Sequence, residues 1–163
     1  MTAVYLSLGS NIDREHHIRG AITALRHHYG PLTCSPVYES EAVGFSGDNF
    51  YNLVVTFNSS AAVATIVQTL RQIEDAHLRS RQGPRFSSRT LDIDLLLYGD
   101  LIINDAEIVI PRPEILTSAF VLKPLADLAP TMLHPQLGIN FANLSLQFNA
   151  ANQPIWLADC TLN

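Results

Sequence analysis

The sequence predicts an α+β protein: a ferredoxin-like antiparallel sheet with helices packed on it and long mobile active-site loops. Three observations predict it. Apolar residues recur with a period of two in residues 3–8, 50–57 and 91–98, the pattern of half-buried strands. Between these segments, residues 18–29 and 63–73 carry apolar positions at helical spacing. The order is then strand, helix, strand, long loop, strand, helix, arginine-rich loop, strand, followed by short strands and a helical tail. Two helices on one face of an antiparallel sheet satisfy that order most simply.

The first strand, residues 3–8, is broken by Gly9-Ser10-Asn11, and a helix begins near Asp13. Ile18, Ile22, Leu25 and Tyr29 form its inward stripe, and Gly30-Pro31 stops it. The turn before this helix could offer free N–H groups to a phosphate, but without a GxGxxG or P-loop pattern it reads as a turn with an N-cap. His16-His17 and His27-His28 read as a solvated polar face, since no third ligand accompanies them. Residues 32–38 form a second strand, and residues 39–49 a loop of the length that usually carries function. In residues 50–57, Leu53, Val55 and Phe57 share one face and Asn52, Val54 and Thr56 the other. Asn58-Ser59-Ser60 offers N-caps for the next helix, whose buried stripe is Val63, Ile66, Val67, Leu70 and Ile73. Residues 101–103 and 107–110 read as short strands, and residues 119–129 as a short helix interrupted near Pro124. Beyond about residue 130 the periodicity is weak and predicts no element.

A length of 163 residues with 47% hydrophobic and 15% charged residues predicts a single domain over residues 1–163, able to bury a core without disulfides. The net charge of -5 argues against coating nucleic acid. No apolar run reaches the length of a membrane span, and the N-terminus lacks the basic start and apolar run of a signal peptide. Cys34 and Cys160 belong to no metal-ligand or CxxC spacing and read as reduced thiols. A cytoplasmic monomer with no nucleic-acid and no membrane partner is expected.

The chemistry concentrates in residues 79–98. Arg79, Arg81, Arg85 and Arg89 are four of the ten Lys and Arg residues, set in a segment with the turn composition of Gly83-Pro84 and Ser87-Ser88. In the strand that follows, Asp92 and Asp94 lie on one face, about 7 Å apart, with Leu91, Ile93 and Leu95 on the other. Paired carboxylates suit a hard cation, and their company with arginines suits phosphoryl transfer, where positive charge clamps phosphate oxygens. The plainer alternative is a set of surface ion pairs, Asp92 and Asp94 neutralising Arg85 and Arg89. No kinase catalytic loop or P-loop is present, so an ATP-using enzyme would need another scaffold.

Several segments together resemble one known family: Leu6-Ser7-Leu8-Gly9-Ser10-Asn11, Ser35-Pro36-Val37-Tyr38, Phe50-Tyr51-Asn52, Gln72-Ile73-Glu74, Arg89-Thr90-Leu91-Asp92-Ile93-Asp94 with its continuation to Gly99, and Phe120-Val121-Leu122-Lys123-Pro124-Leu125. Over roughly residues 4–130 the chain is similar to 6-hydroxymethyl-7,8-dihydropterin pyrophosphokinase. The resemblance implies transfer of pyrophosphate from ATP to the pterin alcohol, a step of folate biosynthesis, with ATP and the pterin as small-molecule partners. It implies that Asp92 and Asp94 bind two Mg²⁺ ions and that Arg79 and Arg89 act on the triphosphate. It places the pterin between Phe50 and Phe120, with Asn52 at its edge and backbone groups near Ser40 and Val43. Glu74, Arg81 and Arg112 fall on the nucleotide side, and Phe86 in the closing loop. Phe50 and Phe120 taken alone would also suit a core. The chain departs from the family pattern at Arg112 (usually His), Ser118 (Arg), Leu78 (Gly) and Glu41 (Pro). These departures sustain a second reading, a catalytically weakened or inactive pterin- or nucleotide-binding paralogue. A third, a ferredoxin-like RNA-binding module, lacks the aromatic strand motif and has the wrong net charge.

Overall fold

The sheet is built around β1 (Thr2–Ser10), which pairs antiparallel with β4 (Phe50–Ser59) on one side and β5 (Asp92–Tyr98) on the other. The computed structural model describes residues 1–42, 44–78 and 90–162. Beyond β4 lie β2 (Thr33–Cys34) and β3 (Tyr38–Ser40), and β8 (Ile155–Leu157) pairs with the outer edge of β3. With α1 (Arg14–Tyr29) and α2 (Val63–Ala76) as crossovers, the order β5-β1-β4-β3 is the expected ferredoxin-like one, and β8 extends it by a strand. β6 (Ile103–Asn104) and β7 (Val109–Ile110) form a separate pair, a cis Ile110-Pro111 bond follows, and α3 (Glu114–Thr117), α4 (Ala119–Leu128) and α5 (Phe141–Gln147) complete the chain. Among the described residues no helix is long and apolar enough to cross a membrane.

Each face of the sheet carries its own core. On one, Leu6 and Leu8 of β1, Leu53 and Val55 of β4 and Ile93 and Leu95 of β5 pack against Ile18, Leu25, Ile66 and Leu70 of α1 and α2. On the other, Val54, Leu96 and Leu97 lie under Ile115, Val121, Leu122, Leu125 and Phe141 of α3 to α5. Fully burying one such side chain contributes about 1.5–3 kcal/mol, so both layers are held mainly by apolar contact. The second layer comes largely from α3 and α4, and of its buried residues only Phe141 lies beyond residue 130, where sequence periodicity is weak. It lets helices cover both faces instead of the one expected. A bulge assists: Leu6 faces Leu95 and Tyr5 faces Leu97, so the extra residue Leu96 joins Leu97 in the second core.

Several local expectations are corrected. The strand expected at 32–38 divides into β2 and β3 around Pro36, which has no N–H for the ladder. Ser35 bridges the gap, donating its N–H to Val54 O and accepting the Val54 N–H on Oγ, both at 2.9 Å. β4 runs through Ser59, so the N-cap of α2 is Ala62, and Ser59 Oγ accepts the Ala61 N–H at 3.0 Å instead. α4 is not interrupted by Pro124; the proline forgoes only the intrahelical bond that Phe120 C=O would have accepted four residues back. β6 starts at Ile103, leaving Leu101 and Ile102 exposed.

Two contacts hold α2 where the site needs it. Glu74, buried in the last turn of α2, accepts the Ile93 N–H on Oε2 at 2.9 Å, fastening the helix to β5 between its two aspartates. His17 does not belong to a solvated face: it is buried, and its Nδ1 lies 2.7 Å from Nδ1 of His77, the residue after α2. His77 fits over Gly20, where a Cβ would come within 2.3 Å of its Cε1. That bond needs one ring to donate and the other to accept, so it cannot persist when both are imidazolium. Burial pushes both rings below the ordinary 6.5, with positive charge on His16 adding to the effect at His17 and charge on His17 adding at His77.

Two predictions follow from these contacts. Glu74→Ala leaves a buried N–H unpaired and should cost about 1–3 kcal/mol in urea unfolding, while Glu74→Gln, which keeps an acceptor, should cost clearly less. For the histidines, the unfolded chain binds more protons than the native one below 6.5. Their contribution is therefore complete above that pH and lost as pH falls. Urea midpoints measured from about pH 8 to pH 5 should drop on the acid side, and His77→Gln should flatten that drop.

Candidate active site

The register of three strands assembles the site. Val4, Leu6 and Leu8 face the first core, so Ser7 and Gly9 face the opposite side. Gly9 is paired with Asp92 on one flank and Asn52 on the other, while Ser7 is paired with Asp94 and Val54. Asp92, Asp94 and Asn52 therefore share the face covered farther along by α4. Asp92 and Asn52 sit two strand spacings, about 10 Å, apart. A Cβ on Gly9 would lie 3.4 Å from Asn52 Oδ1 and 4.0 Å from Phe50 Cδ1. Its absence leaves the floor open between the carboxylates and the Phe50–Asn52 side.

Asn52 is 3% exposed and donates Nδ2–H to Ser40 Oγ at 2.9 Å. That uses one of its two N–H groups and leaves the amide oxygen and the other N–H for the edge of a ligand. Phe50 pairs with Ser40 in the register and meets the ring of Phe45 edge-on, centroids 6.3 Å apart at 90°. Phe120, in the first turn of α4, is half-buried against the second core. Behind this wall, the Tyr38 hydroxyl donates to Asp127 Oδ2, tying β3 to α4.

The carboxylate side is crowded with like charge. Asp94 is pushed up to about 7 by its deep setting, then by Asp92; Glu74 and Glu114 act in the same sense and Arg112 opposes them. Arg112 Nη2 lies 3.3 Å from Asp94 Oδ1 and its Nε 3.0 Å from Glu114 Oε2. The Arg112 N–H also donates to Leu96 O at 3.0 Å, so the backbone beside the cis-proline is docked on β5. Side-chain exposures of 37% for Arg112 and 33% for Asp94 leave this pair screened by water and able to open.

The structure thus brings together Ser40, Phe50, Asn52, Asp92, Asp94 and Arg112 on one face, and sets Phe120 in the layer over it. Glu74 differs from the expectation of a nucleotide contact: 3% exposed and bonded to Ile93, it supports the strand that carries the aspartates. Val43, Arg79, Arg81 and Arg89, with Arg85 and Phe86, lie outside the described residues. Among the described residues no three His, Cys, Asp or Glu side chains converge on a metal site. Asp92 and Asp94 offer a partial set of hard oxygen donors, which suits a cation that completes its shell with phosphate oxygens and water.

Sequence reasoning missed the residues that anchor the two loops. Ser10 Oγ donates to Thr90 O at 2.5 Å, where the arginine-rich segment ends, and Asn11 Nδ2 donates to Asp48 O at 3.1 Å, near the end of the 41–49 loop. Arg14 reaches Glu39 at 3.2 Å and Asn49 O at 3.0 Å, and its guanidinium stacks 3.8 Å over the Tyr51 ring. The turn after β1 is therefore a fastening for distant backbone. Asp13, the N-cap of α1, makes no side-chain capping bond. The available signal was two polar residues directly ending a strand; their partners, 37 and 80 residues away, leave no local trace.

Comparison with known proteins shows the family of the chain. The family profile "7,8-dihydro-6-hydroxymethylpterin-pyrophosphokinase (HPPK)" matches residues 5–130. The 2-amino-4-hydroxy-6-hydroxymethyldihydropteridine pyrophosphokinase of Bacillus subtilis is 35% identical over 129 residues, 76% of each chain. The Porphyromonas gingivalis protein of the same name is 36% identical over 142 residues, covering 83% of this chain and 96% of the relative. The Plasmodium falciparum HPPK-DHPS structure with pterin and p-hydroxybenzoate shares the fold, with a TM-score of 0.73 at 15% identity over 90% of this chain. This chain spans 43% of that longer protein, and 19% of the folic acid synthesis protein fol1 of Pneumocystis carinii, to which it is 35% identical. With the family profile covering β4, the aspartate pair and the Phe120 helix alike, the chain belongs to the 7,8-dihydro-6-hydroxymethylpterin-pyrophosphokinase family of pyrophosphate-transferring enzymes.

Proposed function

We propose that this chain transfers the terminal pyrophosphoryl group of ATP to the hydroxymethyl oxygen of 6-hydroxymethyl-7,8-dihydropterin, a step of folate biosynthesis. The alcohol oxygen bonds to the β-phosphorus, the bond from that phosphorus to the α,β-bridging oxygen breaks, and its electron pair leaves with AMP. The alcohol proton passes to solvent. One observation carries the reading: the row Asp92, Gly9, Asn52 sets a carboxylate pair and an aromatic-amide wall on one sheet face, across an open floor. A flat heterocycle against Phe50, its edge on Asn52, would hold its side-chain alcohol toward the aspartates.

Asp92 and Asp94 would hold Mg²⁺, two ions in the form the family resemblance implies, and the metal supplies charge neutralisation and polarisation of phosphate and alcohol oxygens. Positioning is the other contribution of the protein. Phe50 and Phe120 orient the pterin, Ser40 fixes the rotamer of Asn52, and Glu74 fixes β5. Arg79, Arg81 and Arg89 are proposed to act on the triphosphate from the segment between α2 and β5, with backbone near Val43 on the pterin side. Arg112 would leave Asp94 for a phosphate oxygen when nucleotide binds. The unit is proposed to work as a cytoplasmic monomer.

A second reading rests on Arg112 itself. Its guanidinium already engages an oxygen of Asp94, and a fixed cation there could substitute for metal in a binding-only paralogue. The two readings diverge experimentally. Mixing the protein with Mg-ATP and the hydroxymethyl dihydropterin should release AMP in step with pterin diphosphate; binding of both substrates without AMP would establish the paralogue. Asp94→Ala should keep the circular dichroism spectrum and lower AMP release on the order of 100-fold or more. Arg112→Ala should raise KM for ATP roughly tenfold, the worth of one lost charged hydrogen bond. A gain in Mg²⁺ affinity without any change in KM for ATP would instead mark Arg112 as the metal's replacement.

A further inference from the structure

The segment 149–158 lies beyond the family match, which ends at residue 130, yet it touches both walls of the proposed pterin pocket. Its strand β8 pairs with β3, placing Ile155 opposite Ser40, the residue that holds Asn52. Two residues earlier, Gln153 reaches the other wall. Its Oε1 accepts the Ala119 N–H at 2.9 Å, and its Nε2 donates to Thr117 O at 2.9 Å. These bonds span the corner Thr117-Ser118-Ala119, where α3 ends and α4 begins, and the next residue is Phe120.

The corner needs an external tie. Ala119 is the first residue of α4, so its N–H has no intrahelical acceptor, and Ser118, the N-cap, makes no side-chain capping bond to the turn. The opposite carbonyl, Thr117 O, closes the end of a four-residue helix. One amide side chain satisfies both, its oxygen accepting and its N–H donating from one planar end. Packing does not substitute for it: a cleft of about 260 Å³ lies between α4 and the 145–155 segment, lined by Leu122, Phe148 and Gln153 among others. The amide is therefore a direct link from the β8 segment to the first turn of α4, added to the Tyr38–Asp127 bond farther along that helix.

We infer that Gln153 is a positioning residue for pterin binding, setting the Phe120 ring at a fixed distance from the Ser40–Asn52 edge. This rests on the proposed pterin pocket. The geometry acts first on the pterin side: Asp92 and Asp94 are carried by β5, and Arg112, although it leads into α3, is held by its own bond to Leu96 O and its contact with Asp94. Losing the tie should loosen Phe120 more than the phosphate side.

The test uses the full chain, with direct pterin binding and steady-state kinetics for both substrates. Wild-type protein is measured first; failure to bind the hydroxymethyl dihydropterin would overturn the pocket and the inference with it. Given binding, Gln153→Ala is expected to raise the pterin dissociation constant and KM roughly tenfold, with a clearly smaller change in KM for ATP. Gln153→Glu keeps an acceptor for the Ala119 N–H but has no donor for Thr117 O, so it should recover only part of the loss. An unchanged pterin constant in Gln153→Ala, or equal rises in both substrate constants, would overturn the positioning role while leaving the pocket intact. A urea midpoint for each variant separates loosening of the corner from general unfolding.

Discussion

The antiparallel pairing of β1 with both β4 and β5 is the constraint on which the rest of the molecule depends. Because side chains alternate along a strand, the register of these two ladders decides what faces the helices and what faces the cleft. Asp92 and Asp94 reach the open face only because Ile93 and Leu95, between and after them, enter the first core with Leu6 and Leu8. A slip of one residue would bury both carboxylates against α1 and α2 and expose two aliphatic side chains, each error costing several kcal/mol. The bulge at Leu96 is compatible with this register because it falls after Asp94, where the second core takes two successive leucines.

The same register explains why the cleft holds so much negative charge without coming apart. Asp92, Asp94, Glu74 and Glu114 gather around one end of β5, but their supports differ. Glu74 is spent on the backbone of Ile93, Glu114 faces Arg112, and Asp94 faces Arg112 across a water-accessible gap. Among the described residues Arg112 is the cation set against Asp94 and Glu114, and its partly exposed pairing can open to a ligand. The opposite end of the row, at Phe50 and Asn52, carries no such charge and suits a flat, hydrogen-bonding heterocycle.

Around this fixed centre polar side chains fasten the described ends of the loops. Ser10 and Asn11 hold Thr90 and Asp48, and Arg14 braces Glu39 and Asn49. The C-terminal segment adds a comparable fastening from the other side, with β8 on β3 and Gln153 on the corner before Phe120.

How much of this was legible in the sequence follows from the range of each interaction. Local alternation fixes which residues of β4 and β5 share a face, and the stripes Ile18, Ile22, Leu25 and Val63, Ile66, Leu70, Ile73 mark two helices; the aspartate pair and the joint motif pattern carried the family. Polar contacts between distant segments left no periodic signature. Hence His17 read as a surface residue until His77 was placed beside it, Glu74 as a ligand contact until Ile93 occupied it, and Ser10-Asn11 as a cap until Thr90 and Asp48 met them. The weakly periodic tail hid α5 because a single buried ring, Phe141, seats this seven-residue helix. By itself, then, the sequence determined which side chains face which way along each element, since that is set by backbone geometry within a few residues. Only the tertiary structure decided which polar groups are spent on support and which remain for ligands, since a hydrogen bond is assigned by the partner that folding brings to it.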